Sequence, residues 1–232
     1  MRKAAPVWLF DLDDTLHDAS SASMRELHVA MGDYIVQHLQ VSAEESDILR
    51  RRYWHRYGAT LLGLVRHHGI QSAHFLHHTH LLPGLEERVR GHAADLAALA
   101  RLPGRKYILT NAPQAYALRV LGGLSTRGLR SLNALFDGLI SIEDMHMFGH
   151  LRPKPDVRMF KHLAAQLRVA PARCVLVEDT LVHQRAARSL GMHTVWMQRW
   201  LPPSAARLRP KRRPAYVQRR LRALRELLRL RF

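Results

Sequence analysis

Short apolar runs recur along the chain, at residues 7–10, 107–109, 139–142, 174–177 and 194–197. Continuous runs of this length, without polar alternation, predict strands that are buried on both faces, as in parallel sheets. The segments between them carry apolar residues three and four positions apart, which predicts helices. Strands that alternate with helices indicate an α/β fold built on a doubly wound parallel sheet.

One long helical block interrupts this alternation between the first two runs. Its apolar positions follow a helical spacing at Met24, Leu27, Met31, Ile35 and Leu39. Ser42 and Glu45 form the pattern of a capping box that opens a further helix. We therefore expect an inserted helical cap over residues 19–80 and a discontinuous core made of residues 1–18 and 81–232.

Residues 85–102 have the pattern of one more helix, which Pro103 and Gly104 would end. Cys174 is the only cysteine, so no internal disulfide is possible and a reducing compartment is favoured. The N-terminal apolar run is too short for a signal peptide, and no segment approaches the roughly 18 apolar residues of a membrane helix. We expect a soluble cytoplasmic protein without a membrane span.

The positive charge is concentrated at the C-terminus. The chain has a formal net charge of +17, and residues 199–232 hold 12 Lys or Arg against one acid, Glu226. The other 198 residues therefore carry only +6. Arginine outnumbers lysine 31 to 5, a bias that genomic base composition can produce without a selected function.

This basic segment offers an alternative function. Its apolar stripe could form an amphipathic helix that binds nucleic acid, an anionic membrane or a partner; the stripe consists of Val217, Leu221, Leu224 and Leu228. We favour a structural interpretation, in which residues 215–217 form the last edge strand of the core and a short helix packs behind it. Residues 209–214 would then be an exposed loop.

Polar side chains follow three of the predicted strands at the points where they end. Because the carboxyl ends of parallel strands lie at one edge of a sheet, these residues should meet in space. They are Asp11 and Asp13, Thr110 and Asn111, and Glu178 and Asp179. Converging carboxylates require a cation, and hard oxygen ligands select Mg²⁺, which favours phosphate substrates.

These residue types can carry out phosphoryl transfer. A carboxylate of Asp11 that approaches a phosphate dianion to about 3 Å meets a repulsion of about 5 kcal/mol per charge pair at an effective dielectric near 20. Magnesium and Lys154 would offset it, and Thr110 and Asn111 would bind the non-bridging oxygens. Asp13 would protonate the leaving oxygen and then activate water.

The chain resembles the phosphatases of the haloacid dehalogenase superfamily. The four motifs of that superfamily occur in order, as DLDDT at residues 11–15, Thr110-Asn111, Lys154, and Glu178-Asp179. The dehalogenases of the superfamily lack an acid at the position of Asp13, so its presence favours phosphate chemistry.

This resemblance implies a role for each residue. Asp11 would be the nucleophile, Asp13 the acid and base, and Lys154 a catalytic and phosphate-binding cation. Asp11, Asp179 and the backbone carbonyl of Asp13 would bind Mg²⁺. Glu178 would bind the metal either directly or through water, and the sequence leaves both possibilities open.

The cap resembles that of the pyrimidine 5′-nucleotidase branch. Residues 53–61 are similar to its YxxYGxTLxGL signature, and the segments LLPGLEE, GRKYILTNAP, LRPKPD and VLVEDT fit the same branch, over about residues 6–198. The resemblance implies a nucleoside monophosphate such as UMP or CMP as substrate. His17 stands where many members have an aromatic residue, so the base preference remains open. The alternatives are a phosphosugar phosphatase or phosphomutase of the same superfamily, or a nucleic-acid-associated protein that acts through its basic tail.

Several other residues receive structural interpretations. We expect Asp14 to cap its turn, and Tyr53 and Tyr57 to pack rather than stack on a base. Six histidines could suggest a transition-metal site, but an Arg/His-rich surface explains them more simply; they are His67, His68, His74, His77, His78 and His80.

Overall fold

A six-stranded parallel sheet forms the centre of the computed structural model, which describes residues 5–125, 132–200 and 212–232. The strands in chain order are β1 Val7–Phe10, β2 Arg105–Leu109, β3 Gly138–Ile140, β4 His146–Met147, β5 His150–Leu151, β6 Cys174–Glu178, β7 His193–Met197 and β8 Arg219–Leu221. The sheet has the order β3-β2-β1-β6-β7-β8, and β4 pairs with β5 in a separate antiparallel hairpin. The predicted α/β fold is confirmed.

Helices cover the sheet and fill the chain between its strands. They are α1 Ala19–Ala22, α2 Met24–Leu39, α3 Ala43–Tyr57, α4 Thr60–His68, α5 Ser72–His80, α6 Leu85–Arg88, α7 Ala93–Arg101, α8 Gln114–Ser125, α9 Val157–Gln166 and α10 Leu181–Ser189. Among the described residues, none of the helices has the length and apolar character needed to cross a membrane.

The first strand lies in the middle of the sheet because it is apolar on both faces. Its neighbours are β2 and β6, and all four of its residues are buried. Val7 and Leu9 pack into the hydrophobic cluster on one face, whereas Trp8 and Phe10 pack into the cluster on the other. Such two-sided burial is typical of central parallel strands and fixes the position of the residue that follows, Asp11.

Helices α2 to α5 have a hydrophobic cluster of their own. Buried side chains from all four helices meet in it, with Ile142 from beyond β3; they are Tyr34, Ile35, Tyr53, Leu61, Leu64, Phe75 and Leu76. The cap at residues 19–80 would require such a cluster, although the division of the chain into cap and core stays a prediction.

The turn between α3 and α4 lies against the segment that carries Lys154. Gly58 ends α3 with a φ of 80° and accepts no side chain, because a Cβ there would lie 2.8 Å from Cδ of Pro155. Glycine is favoured in this left-handed conformation, and here it also permits the close approach. The predicted cap and the predicted catalytic lysine therefore meet at this turn.

The single helix predicted over residues 85–102 is wrong, since the structure has two helices, α6 and α7, separated by residues 89–92. Val89 turns into the core, and Gly91 passes so close to α8 that a Cβ would lie 2.6 Å from Cδ2 of Leu124. Tertiary packing therefore overrides the helical periodicity of this stretch.

The edge strand predicted at residues 215–217 lies farther along the chain, as β8. Val217 is fully buried and its N–H donates to the carbonyl of Pro214, so this stretch forms a turn that enters the core. Pairing with β7 begins only afterwards, where the N–H of Gln218 donates to the carbonyl of Thr194.

The apolar stripe of the C-terminal segment packs against the core and does not form one face of a free helix. Leu221, Leu224 and Leu227 are buried, and residues from Leu224 to Arg229 form a 3₁₀-helix beside α7. Leu228 of the predicted stripe is only partly buried. The loop predicted at residues 209–214 lies largely outside the described residues.

Replacing Gly63 with alanine should destabilise the packing of α3 against α4. A Cβ at this position would lie 2.0 Å from Cγ of Tyr53, so the ring has to move. We expect the free energy of unfolding to fall by about 1–3 kcal/mol. The matched control is Gly122→Ala in α8, where a Cβ meets nothing within 4 Å. This variant should raise the free energy of unfolding by up to about 1 kcal/mol, because alanine favours the helix. Urea unfolding of both variants measures the difference, and a loss of stability in Gly122→Ala would contradict this explanation.

Candidate active site

The strand ends bring the predicted site residues to one edge of the sheet. The N–H of Asp11 donates to the carbonyl of Val177 at 2.9 Å, which continues the ladder between β1 and β6 by one residue. Asp11 therefore lies beside Glu178, the last residue of β6, and Asp179 follows it. The parallel register alone produces this convergence of acids from positions far apart in the chain.

Three carboxylates form a compact group with ligand oxygens that all lie within 4.8 Å of one another: Asp11, Glu178 and Asp179. In the part of the chain that the structure describes, no other histidine, cysteine or acid group meets this criterion. Lys154 extends into the group and is almost completely buried, with Nζ 2.6 Å from Oδ1 of Asp11 and 2.8 Å from Oε2 of Glu178.

The group holds more negative charge than Lys154 can neutralise. Burial and the charge of Glu178 raise the pKa of Asp11 to about 8, and the same two effects raise the pKa of Asp179 well above its usual value. Burial also opposes ionisation of Glu178, but Lys154 and His183 outweigh it and hold that pKa below its usual range. With all three carboxylates ionised, the group and the ammonium would carry a charge of −2, which a divalent cation such as Mg²⁺ would neutralise, and such a cation prefers hard oxygen ligands.

Asn111 holds the backbone of Lys154 in place. Its amide nitrogen donates to the carbonyl of Lys154 at 2.9 Å, and its amide oxygen accepts from the N–H of Lys154 at 3.0 Å. Thr110 is buried, and its hydroxyl accepts a hydrogen bond from the N–H of Ala112 at 3.0 Å. Both side chains shape the loops beside the carboxylates, and their contact with phosphate stays a prediction.

Asp13 lies outside the group of three carboxylates and is more accessible than Asp11 and Glu178, with an exposed side-chain fraction of 20%. Its Oδ1 accepts a hydrogen bond from the Tyr116 hydroxyl at 2.9 Å and lies 2.9 Å from Nε2 of His17. This carboxylate is thus free of Lys154 and available for proton transfer. The assignment of its backbone carbonyl to the metal stays a prediction.

Asp14 has the turn geometry that we expect. It adopts a positive φ of 54°, which Asp tolerates better than most residues, and its carboxylate accepts both the N–H and the hydroxyl of Ser20 at 2.8 and 2.6 Å. These bonds tie the turn after β1 to the start of α1.

Sequence reasoning misses several neighbours of the carboxylates. His183 Nδ1 lies 3.0 Å from Oε2 of Glu178, and Thr15 donates to Oδ2 of Asp11 at 3.2 Å. Thr15 is part of the first motif and could have been identified there. His183 is placed by the first turn of α10, a position that a helix beginning just after Asp179 could have indicated.

Tyrosines and histidines of the predicted cap pair with one another. Tyr53 is buried and bonds His68 at 2.6 Å, and Tyr57 bonds His67 at 2.6 Å between its hydroxyl and the ring Nε2. These contacts agree with packing roles for both tyrosines.

Solved structures with similar folds come from several microorganisms. They include a HAD phosphatase from Thermococcus onnurineus at 20% identity, covering 97% of this chain and 96% of that one with a TM-score of 0.61. CbbY from Rhodobacter sphaeroides, solved in complex with phosphate, has 18% identity, 96% coverage of each chain and a TM-score of 0.62. The putative HAD-hydrolase YfnB from Bacillus subtilis, bound to magnesium, has 17% identity, 98% coverage of each chain and a TM-score of 0.57.

At these identities the structural similarity establishes the fold alone. The sequence provides the further step, because the family described as haloacid dehalogenase-like hydrolase matches residues 7–191, most of the chain, including every predicted site residue. With its parallel sheet and its group of carboxylates around Lys154, this chain belongs to the haloacid dehalogenase-like hydrolases.

Proposed function

We propose that this hydrolase is a Mg²⁺-dependent phosphomonoesterase that works through an aspartyl-phosphate on Asp11. The observation that carries the proposal is the position of Asp11, whose carboxylate contacts Lys154 within a group of three acids. A second acid, Asp13, lies two residues along the same loop, outside that group. A nucleophile and a separate proton carrier are what phosphomonoester hydrolysis requires.

In the first step a carboxylate oxygen of Asp11 attacks phosphorus. The bond between phosphorus and this oxygen forms while the ester bond to the leaving oxygen breaks, and Asp13 gives its proton to that oxygen. Lys154 and Thr15, which contact the two oxygens of Asp11, orient the carboxylate during the attack.

In the second step Asp13 takes a proton from water, which attacks the phosphorus of the acyl phosphate. The bond to Asp11 breaks, so inorganic phosphate leaves and the carboxylate is restored. Asp13 thus ends the cycle with the proton that it had at the start.

The metal would be held by Asp11, Asp179 and the backbone carbonyl of Asp13, with Glu178 bound directly or through water. A bound Mg²⁺ supplies positive charge that reduces the repulsion between the carboxylates and an incoming phosphate. Lys154, which already contacts Asp11 and Glu178, would share this task.

A pyrimidine nucleoside 5′-monophosphate is the substrate class that we propose. It is supported by the resemblance of residues 53–61 to the 5′-nucleotidase signature and by the contact of Gly58, within that stretch, with Pro155 beside Lys154. A phosphosugar phosphatase is equally consistent with the core. A phosphomutase would have to keep water from the aspartyl-phosphate, for which we see no support in this cap.

A binding protein that acts through its basic tail has less support. Its apolar residues at positions 217, 221 and 224 are buried against the core, so within residues 212–232 they do not form a free amphipathic face.

Replacing Asp11 with asparagine should abolish phosphatase activity without unfolding the protein. The change removes the nucleophile and one of three crowded negative charges, so we expect activity to fall by more than roughly a thousandfold. The matched control is Asp137→Asn, an exposed residue just before β3 at the opposite edge of the sheet, which should stay within about twofold of wild type. Phosphate release measures both variants, and near-normal turnover by Asp11→Asn would rule out the covalent mechanism.

Replacing Asp179 with asparagine should weaken metal binding without destabilising the metal-free protein. Burial and its neighbours oppose ionisation of this carboxylate, so the amide should keep or raise the Tm of the metal-free protein. Mg²⁺ at about 100 times its Kd should stabilise the wild type by about 2.7 kcal/mol but leave this variant nearly unchanged.

Thermal unfolding with and without Mg²⁺ tests this expectation, and Glu86→Gln serves as the control. Glu86 is bound by Arg119 outside the group of three acids, so its variant should keep the full metal-induced shift. An equal shift in wild type and Asp179→Asn would place the metal elsewhere.

A panel of phosphomonoesters distinguishes the substrate classes. We expect kcat/KM for UMP or CMP to exceed that for glucose 6-phosphate and other sugar phosphates by at least about tenfold, because binding of a base adds contact energy. Phosphate release in the presence of Mg²⁺ measures each substrate, and EDTA should abolish it. A preference for the sugar phosphates would support the alternative, and no release from any substrate would contradict the phosphatase assignment.

A further inference from the structure

Two buried side chains from different elements meet on a single oxygen of Asp13. Oδ1 of Asp13 lies 2.9 Å from the Tyr116 hydroxyl and 2.9 Å from Nε2 of His17. Tyr116 comes from α8 and His17 from the loop before α1. Their exposed fractions are only 1% and 0%, so neither side chain has access to solvent.

The hydroxyl of Tyr116 is itself oriented. Oγ of Ser23 lies 2.7 Å from the Tyr116 hydroxyl. The Tyr116 hydroxyl has a single hydrogen, which it donates to Asp13. Ser23 is therefore the donor in the bond between the two hydroxyls, in preference to its longer contact of 3.4 Å with the carbonyl of Ala19. A chain of hydrogen bonds thus runs from Ser23 through Tyr116 to Asp13.

The surroundings of His17 fix its tautomer. Nδ1 of His17 is buried and finds no hydrogen-bond partner among the described residues. A buried N–H without a partner is rarer than an under-satisfied acceptor, so the hydrogen resides on Nε2 and is donated to Asp13. His17 and Tyr116 therefore both act as donors to the same oxygen.

We propose that His17 and Tyr116 are positioning residues that fix the general acid and base Asp13 through Oδ1 and so make Oδ2 the oxygen that exchanges the proton. This inference rests on the proposed function. With 20% of its side chain exposed, Asp13 would otherwise be free to rotate about its side-chain bonds. Two donors on one oxygen hold the carboxylate and leave the other oxygen for the leaving group and for water.

A purely structural role for the two residues makes a different prediction. If they only held the loop together, their loss would reduce the amount of active enzyme and affect all substrates alike. Misplacement of a general acid instead matters most when the leaving oxygen is basic and needs its proton. Phenyl phosphate and p-nitrophenyl phosphate differ mainly in this property, because phenol is the more basic leaving group.

The test compares kcat/KM for both esters in Tyr116→Phe, His17→Leu and His17→Gln, with Mg²⁺ present. In the first two variants we expect a loss of about tenfold or more for phenyl phosphate but less than about threefold for p-nitrophenyl phosphate. His17→Gln places an amide N–H near the position of Nε2 and should recover most of the loss. Tyr116→Phe removes one oxygen only, so it carries the test if His17→Leu does not fold.

Matched controls lie away from the carboxyl edge of the sheet. Tyr107→Phe in β2 and His193→Gln at the start of β7 should leave both values within about twofold of wild type. Equal losses for the two esters in Tyr116→Phe, or no loss, would overturn the positioning role while the phosphatase assignment stands. If the wild type releases phosphate neither from these esters nor from UMP, CMP or a sugar phosphate, the proposed function fails, and the positioning role fails with it.

Discussion

The buried ammonium of Lys154 between Asp11 and Glu178 is the interaction around which the site is organised. A lysine with 1% of its side chain exposed would be unstable without partners, and the carboxylates would repel one another without the lysine. Each therefore makes the burial of the other tolerable. The remaining excess of negative charge is a stability cost that a structural protein would have little reason to retain, and it attracts a cation.

Hydrogen bonds from neighbouring side chains fix the backbone of Lys154 and Glu178. Asn111 fixes the backbone of Lys154 on one side, and on the other Gln184, which is fully buried, donates to the carbonyls of Glu178 and Val195. Asn111 thereby attaches Lys154 to the loop that follows β2, and Gln184 attaches Glu178 to the neighbouring strand β7. In the proposed mechanism, such support would let Asp11 meet a phosphate without prior reorganisation of its surroundings.

The sequence predicts the fold and the position of the acids because both follow from local patterns. A buried strand that ends in an acid places that acid at the carboxyl edge, whatever the rest of the chain does. The contact between Asp13 and Tyr116 spans 103 residues and depends on how α8 packs, so no spacing reveals it. The break after α6 and the later start of β8 escape prediction for the same reason, since packing decides them against the local periodicity.

The turn at Gly58 has a consequence for how this enzyme can diverge. Here the turn between α3 and α4 touches the segment that carries Lys154, and a methyl group at position 58 would lie too close to Pro155. A side chain at position 58 would press directly on the segment that holds Lys154, so this one residue limits how far the sequence of the two helices can change.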